Sequence, residues 1–361
     1  MSASITNPPS TNSTRVAPLS SRYRDVLRDV IHTFVSTGEP VSSRTVSKHG
    51  RQSLSAATIR NVMADLEEMG LLQQPHSSAG RVPTKAAYRF YVENLMRWRQ
   101  LSEREREHIE DSLAEAAGDI DHLMAVATHL LSDLSHQVGV VLTPDANEVA
   151  LRSADFVSLG GRRVLSVIVS TNGFIDNLVI ETDEELSREE LVRISNYITR
   201  NFAGNRLPEI RDRLLQLMAA ERDHVDRWLA NAMALARRAV GGAPEQEVLV
   251  EGTTILLDRP ELSEVDQVRR MLDTFADKAR LVAMLNQCLV SDGVRVFLGE
   301  DTDVTQELDF SLVAAPYGVG SRPLGNLGII GPSRMEYPRL VPLVHFLGEA
   351  LSKALTSVAQ E

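Results

Sequence analysis

Residues 53–69 carry the pattern of an amphipathic helix. Apolar side chains recur there at spacings of three and four residues, which places them on one helix face against a core. They are Ile59, Val62, Met63, Leu66 and Met69. The start of the opposite face is slim and polar, and Ser55 stands where a helix cap is expected. A chain with this helix must therefore build a core on one side of it and leave the other side open.

The polar residues at the start of this helix are of the kinds that read bases in the DNA major groove. Arg pairs with guanine, Asn pairs with adenine, and Thr or Ala meets the thymine methyl group. In a recognition helix such side chains act from its N-terminal half. The candidates are Ser55, Thr58, Arg60 and Asn61. An ordinary surface helix shows similar residues, so the sequence around the helix has to decide between the two interpretations.

The neighbouring segments predict a three-helix unit followed by a two-stranded wing. Helical stripes cover 20–36 and 42–49, and extended segments at 71–74 and 81–83 enclose a polar loop after the amphipathic helix. This order is typical of a winged helix-turn-helix. The wing offers four side chains to phosphate or to the minor groove: His76, Ser77, Ser78 and Arg81.

Charge is spread unevenly along the chain, whose net charge is −11. Residues 1–97 hold 12 Lys or Arg against 7 Asp or Glu, a net of +5, which leaves 26 against 42, a net of −16, for the remainder. A mildly basic head on an acidic body suits a DNA-binding module joined to a regulatory and oligomerising one, because the head can neutralise phosphates.

Length and residue usage indicate a multidomain protein of the reducing cytoplasm. A chain of 361 residues predicts two or three domains. The single cysteine, Cys288, excludes a disulfide framework and a cysteine-rich zinc site. The sequence has no apolar run of the roughly 18 residues that a membrane span needs. Residues 1–18 are rich in Ser, Thr, Asn and Pro, so we expect a disordered tail and not a signal peptide.

The body alternates between strand and helix patterns. A helix is expected over 84–99, followed by two more between 102 and 135. Predicted strands are 139–142, 154–159, 164–170, 177–181, 294–298, 310–314 and 327–330, with one hairpin over 248–257. Predicted helices are 188–201, 208–219, 221–240, 263–276, 277–289 and 338–357. The fold is thus expected to be α+β, with one sheet interrupted by a mainly helical insertion.

Three long segments of the head resemble one bacterial family. They are GEPVSSRT at 38–45, SAATIRNVMADLEEMGLL at 55–72 and QPHSSAGRVPT at 74–84, in this order and without gaps. They are similar to the heat-inducible transcription repressor HrcA family, and the similarity runs more loosely from about residue 20 to the end. The turn HGRQSL at 49–54 is more polar than the family pattern, and Arg51 there is a further candidate for a phosphate contact.

The resemblance implies a division into four parts. They are a tail over 1–18, a winged-helix head over 19–97, a GAF-like domain with connecting helices over 98–183 and 290–361, and an inserted dimerisation domain over 184–289. It also implies DNA contacts from Ser55, Thr58, Arg60 and Asn61, from Arg44 on the preceding helix, and from His76, Ser78 and Arg81 in the wing.

The family resemblance further implies a function. Such a protein binds, as a homodimer, an inverted-repeat operator in double-stranded DNA ahead of chaperone operons and blocks their transcription. The chaperonin GroEL is implied as a modulator that keeps the repressor competent. No cofactor is implied.

Other functional classes have less support in the sequence. The segment 325–332 lacks the spacing and the following helix of a phosphate loop, and we interpret it as a strand of a hairpin. His108, His122, His129 and His136 recur at multiples of seven, which is too far along one helix to share a metal ion. We expect no enzyme activity. The alternatives left open are a regulator that responds to a small ligand in the GAF-like domain, an enzyme that uses the same pocket, and a scaffold whose winged helix binds protein.

Overall fold

The computed structural model describes residues 19–50, 54–77, 79–96, 98–145, 150–171, 175–207, 209–210, 212–214, 232, 234–236, 238–239, 246–258, 265–287, 293–302, 310–320 and 322–360. The architecture is mixed α and β, as the sequence predicts. The expected tail, the candidate Ser78, Arg51 and Cys288 lie outside these residues. Within the described ranges, every helix is too short or too polar to cross a bilayer.

Three helices form the head. They are α1 (Ser21–Thr37), α2 (Ser43–His49) and α3 (Ala56–Glu68), as predicted. Gly38 ends α1 in the left-handed conformation, with φ of 73°, where a side chain would be strained. Serine side chains begin α2 and α3 by accepting backbone N–H groups of the first turn. The apolar faces of α1 and α3 are buried in a common core.

A small wing follows α3. Strands β1 (Leu72–Gln73) and β2 (Val82–Pro83) pair antiparallel, as the sequence predicts. Val41, which precedes α2, adds a third antiparallel bridge through Arg81. The wing is therefore bonded both to the end of α3 and to the beginning of α2.

The expected helix over 84–99 is shorter in the structure. It consists of α4 (Lys85–Phe90) and one π-helical turn (Tyr91–Leu95), after which Met96 is extended. Its aromatic residues Tyr88 and Tyr91 are buried in the core that the head shares with the body. The two predicted connecting helices are α5 (Glu103–Ala116) and α6 (Ile120–Ser135).

The body is built on a five-stranded antiparallel sheet. Its strands are β3 (Val138–Leu142), β7 (Val248–Glu251), β8 (Arg295–Leu298), β9 (Phe310–Val319) and β10 (Arg322–Pro332), in the order β7-β3-β10-β9-β8. One face packs on α5, α6 and the long C-terminal α10 (Tyr337–Gln360). The other face packs on α8 (Val265–Ala276) and α9 (Lys278–Gln287). Helices thus cover both sheet faces.

Three predicted strands belong to a different sheet from the one expected. Strands β4 (Leu151–Ser158), β5 (Arg163–Ser170) and β6 (Ile175–Glu181) form their own antiparallel sheet in that order. They share a separate core with α7 (Arg188–Phe202) and with helical residues between 207 and 239. The expectation that 154–181 continue the sheet of β3 is therefore wrong, because alternation predicts a strand but does not say which strand it pairs with.

Two further expectations need correction. The predicted hairpin at 248–257 is one strand, β7, followed by a 3-10 helix over Thr253–Asp258. β7 pairs with β3, and α9 contacts β7 and β10, so both elements pack with the sheet of the body although they were expected in the insert. The segment 325–332 does lie in a hairpin strand, since β9 and β10 pair along their length.

Candidate nucleic-acid interface

Two hydroxyl groups cap the N-terminal turn of α3. The Oγ of Ser55 accepts the backbone N–H of Thr58 at 3.1 Å, and it lies 2.9 Å from the Oγ1 of Thr58. The pair caps the helix and fixes both side chains. Ser55 is exposed and Thr58 is half-buried, so this end of the helix faces outward with its polar atoms ordered.

The remaining polar residues of this turn are exposed on the same side. Arg60 and Asn61 are exposed, whereas Ile59, Val62 and Met63 beside them are buried in the head core. Successive residues are 100° apart around a helix, so this alternation puts Arg60 and Asn61 opposite the core. The structure therefore brings together four of the residues that the sequence predicts: Ser55, Thr58, Arg60 and Asn61.

A partly buried hydrogen bond between two side chains joins α3 to α1. The hydroxyl of Tyr23 donates to the Asp65 carboxylate at 2.5 Å. This hydrogen bond, with the nearby negative charge, raises the pKa of Tyr23. The packing of α3 on α1 thus involves this hydrogen bond as well as the apolar face of α3.

The second helix contributes a basic surface. Arg44 is exposed in the first turn of α2, behind the cap in which Ser42 accepts the N–H of Thr45 at 3.2 Å. Lys48 is exposed one turn later. Residues four apart lie on one side of a helix, so Lys48 continues the surface of Arg44. Lys48 is not among the contacts predicted from the sequence, although its spacing of four residues from Arg44 places it on the same side of α2.

The wing loop is braced by an amide side chain. The Nε2 of Gln74 donates to the carbonyl oxygens of Ser77 and Ala79, at 3.0 and 2.9 Å, and the N–H of Ala79 donates to the carbonyl of His76 at 2.9 Å. His76 is exposed on this loop. These hydrogen bonds hold the backbone beside His76, which lowers the entropy cost of ordering this side chain on binding.

Arg81 does not have the position expected of it. It lies at the base of the wing, and its side chain is only 19% exposed. Its Nε and terminal nitrogen both bind Oε2 of Glu67 on α3, at 2.8 and 2.7 Å. The guanidinium is thus paired with a carboxylate at the base of the wing, and the phosphate contact expected of Arg81 stays a prediction.

Two of the four regularly spaced histidines have structural positions in the body. His136 ends α6 with a positive φ of 53°. The Nδ1 of His129 lies 2.7 Å from a carboxylate oxygen of Glu251 on β7, and this hydrogen bond raises the pKa of His129. Among the described residues no three His, Cys, Asp or Glu side chains lie close enough together to share a metal ion.

The head also rests firmly on the body. Arg89 on α4 donates to the Asp301 carboxylate at 2.8 Å and to the carbonyl of Leu298 at 3.1 Å. Arg334 donates to the carbonyl of Val35, at 3.3 Å. A cleft of about 950 Å³ remains between the two, lined by residues of both that include Phe34, Glu39, Lys85, Phe310 and Arg334.

Comparison with known proteins identifies the family. Residues 18–95 match the family model described as winged helix-turn-helix transcription repressor, HrcA DNA-binding. Residues 121–341 match the model described as HrcA protein C terminal domain. A crystal structure titled as that of a hypothetical protein superposes with a TM-score of 0.62 at 22% identity, covering 94% of this chain and 100% of that one. That likeness concerns the fold alone.

Two relatives carry the same name, heat-inducible transcription repressor HrcA. The relative from Geobacter sulfurreducens is 41% identical over 337 residues, which cover 93% of this chain and 98% of the relative. The relative from Syntrophobacter fumaroxidans is 37% identical over 348 residues, which cover 96% and 100%. With family models that match both head and body, these similarities show that the chain belongs to the HrcA family of heat-inducible transcription repressors.

Proposed function

We propose that this chain represses transcription by placing the N-terminal half of α3 in the major groove of its operator. One observation carries the proposal: Ser55, Arg60 and Asn61 are exposed and Thr58 is half-buried, and this polar turn lies opposite a buried apolar face. Arg60 and Asn61 are the base readers, because their side chains are long and exposed. Arg44, Lys48 and His76 contact the backbone around them.

The proposed operator is an inverted repeat and the proposed binding unit is a homodimer. A single small head makes few phosphate contacts, so two heads joined by a two-fold axis are needed for tight binding at physiological salt. Two-fold symmetry of the protein requires two-fold symmetry of the DNA site. This reasoning favours a pair of heads held by the body or the insert.

The sheet of β4, β5 and β6 lies between β3 and β7 in the chain, and its outer face supports dimerisation through this inserted region. Val157, Leu165 and Val179 stand side by side across β4, β5 and β6 on the face away from α7. Val157 and Val179 are 51% and 50% exposed, and Ile175 on the same face is 60% exposed. Asp155 and Asn177 flank Val167 on the same face, so its apolar surface is an exposed row and not the whole face. Exposed apolar side chains are costly in water, and a second copy of the same sheet would cover them.

We propose revised domain limits from the strand pairing. The head remains 19–97, and the insert becomes 143–247, between paired strands β3 and β7. The remaining residues form the body, which we propose to be GAF-like. Its antiparallel sheet with helices on both faces supports this assignment.

The regulated genes and the sensor follow from the family resemblance. We propose chaperone operons as targets and the chaperonin GroEL as the partner that maintains the active fold. A multidomain chain of this size exposes apolar surface during folding, which makes dependence on a chaperone physically reasonable. Added chaperonin should raise the fraction of protein that binds operator, and an unchanged fraction would contradict this part of the proposal.

A regulator that answers to a small ligand is the second candidate. The cleft of about 950 Å³ between head and body has the volume of small-molecule sites. A ligand there would contact both parts and change how the head is held. Metabolite extracts would then shift operator affinity in the absence of chaperonin, whereas the chaperonin account predicts no shift.

Substitution of Arg60 tests the proposed reading helix. In Arg60→Ala we expect the preference for operator over unrelated DNA to fall by about 1 to 3 kcal/mol, because one bidentate base contact is lost. Binding to both DNAs would be measured by fluorescence anisotropy at several salt concentrations. Arg104→Ala, which removes an exposed arginine of α5, is the matched control. An unaltered preference in Arg60→Ala would remove α3 as the reader.

A further inference from the structure

Arg81 joins three separate pieces of the head. Its guanidinium binds Glu67 near the end of α3, and both groups are mostly shielded, at 19% and 33% exposed. Its backbone N–H donates to the carbonyl of Val41 and its carbonyl accepts the N–H of Val41, each at 2.9 Å. Arg81 therefore connects α3, the segment before α2 and the start of the wing strand β2, which begins at the next residue.

The neighbouring residue explains how this junction is so tight. A Cβ added to Gly80 would lie 2.5 Å from the backbone of Val41. Backbone atoms cannot move aside as a flexible side chain can, so only glycine permits the close approach. The wing base is thus held at one distance from α2 by backbone pairing and at one angle to α3 by the Arg81–Glu67 pair.

A phosphate contact through Nε, or through the terminal nitrogen that binds Glu67, would disturb this arrangement. If the guanidinium left Glu67 for DNA, the Glu67 carboxylate would remain in a partly buried place without its counter-charge. That carboxylate would also stand close to the DNA phosphates and repel them. Both effects oppose the exchange of partners.

We propose that Arg81 is a positioning residue and that Glu67 is its necessary partner. The pair fixes the angle of the wing to α3, which sets where His76 meets the DNA when α3 is in the groove. This inference rests on the proposed DNA-binding function and refines it. It removes Arg81 from the direct contacts and adds Glu67, an acidic residue, to those that operator binding requires.

The two roles of Arg81 predict opposite effects for Glu67→Gln. If Arg81 positions the wing, this substitution weakens operator binding, because the angle is no longer held. If Arg81 grips phosphate, the same substitution strengthens binding, because it releases the guanidinium and removes a negative charge. Salt dependence separates the roles again, since loss of one phosphate contact lowers the slope of log affinity against log salt by about 0.9.

The experiment compares wild type with Glu67→Gln, Arg81→Gln and the double variant. The DNA is an inverted-repeat duplex recovered by the wild-type chain from a random-sequence pool. We expect each single variant to bind about three- to tenfold more weakly at an unchanged salt slope. The double variant should bind no more weakly than either single variant, because both remove one interaction. Stronger binding by Glu67→Gln, or a reduced slope in Arg81→Gln, would overturn the proposal.

A measurement without DNA keeps this inference separate from the proposed function. Hydrogen exchange at the backbone N–H groups of Val41 and Arg81 reports whether the wing base stays paired. Exchange should become faster in both single variants and stay at the wild-type rate in the control Arg104→Gln. Unchanged exchange in both variants would overturn the positioning role. A wild-type chain that prefers no DNA sequence would instead refute the proposed function, and the exchange rates would still decide the role of Arg81.

Discussion

At the scale of single residues, the polar turn of α3 divides its side chains between two tasks. Ser55 and Thr58 are bonded to each other and to the backbone, so they shape the end of the helix. Arg60 and Asn61 extend from the following turn and are exposed. A short polar side chain close to the backbone suits capping, whereas a long one reaches base edges. We infer that the first pair orders the surface and the second pair reads the sequence.

Two substitutions of Ser55 separate these tasks. Ser55→Ala removes the cap and should lower the free energy of unfolding by about 1 kcal/mol, as measured by urea denaturation. Ser55→Asp keeps a capping acceptor, so its stability should be close to that of wild type. Its negative charge would face phosphates, however, and operator binding should fall at low salt. Wild-type DNA affinity in Ser55→Asp would contradict the placement of this turn against DNA.

At the scale of elements, local sequence patterns predicted individual helices and strands, but they did not predict which strands pair. The cap serines, the apolar stripes of α1 and α3 and the wing were predictable, because capping and periodicity act within one or two turns of chain. The assignment of β4, β5 and β6 to a separate sheet was not predictable, since the choice of partner strand depends on contacts far apart in sequence. The same limit applies to Arg81, whose partner Glu67 lies 14 residues away.

The second sheet provides a test of the proposed dimer. Val179→Asp places a charge in the exposed apolar row of Val157, Leu165 and Val179 and should shift the proposed dimer to monomer in analytical ultracentrifugation. Val192→Asp is the matched control, because Val192 is also 50% exposed but lies on α7, which covers the other face. Equal amounts of dimer in wild type and Val179→Asp would exclude this face as the interface.

The hydrogen bond between His129 on α6 and Glu251 on β7 predicts a small dependence of stability on pH. The hydrogen bond to Glu251 raises the pKa of His129, so the charged form is favoured in the folded state. The stabilisation is complete below the ordinary pKa of about 6.5 and is lost as the pH rises through the raised value. Both groups are exposed and screened, so we expect less than about 1 kcal/mol.

The His129 effect can be measured against a matched variant. The stability difference between wild type and His129→Gln should shrink as the pH rises from below 6 to above 8, measured by urea denaturation. Ala125→Gln changes an exposed residue of the same helix that carries no titratable group, so its pH dependence should match that of wild type. A difference that grows with pH would contradict the sign of this interaction.

At the scale of the whole molecule, the head is not a loosely tethered module. One apolar core runs from α1 and α3 through Tyr88 and Tyr91 to the sheet and α10. Arg89 and Arg334 add polar ties between head and body. In the proposed dimer, a head held in this way would transmit the geometry of the dimer to the DNA, so the body and insert would set the spacing of the two half-sites.

We propose that two such heads read one inverted repeat together. The affinity of the wild-type chain for an inverted-repeat duplex can be compared with its affinity for one half-site, across several salt concentrations. We expect much tighter binding of the full repeat, with a salt slope about twice that of the half-site, because two heads contact phosphates. Equal affinity and equal slope for the two duplexes would contradict a dimeric repressor.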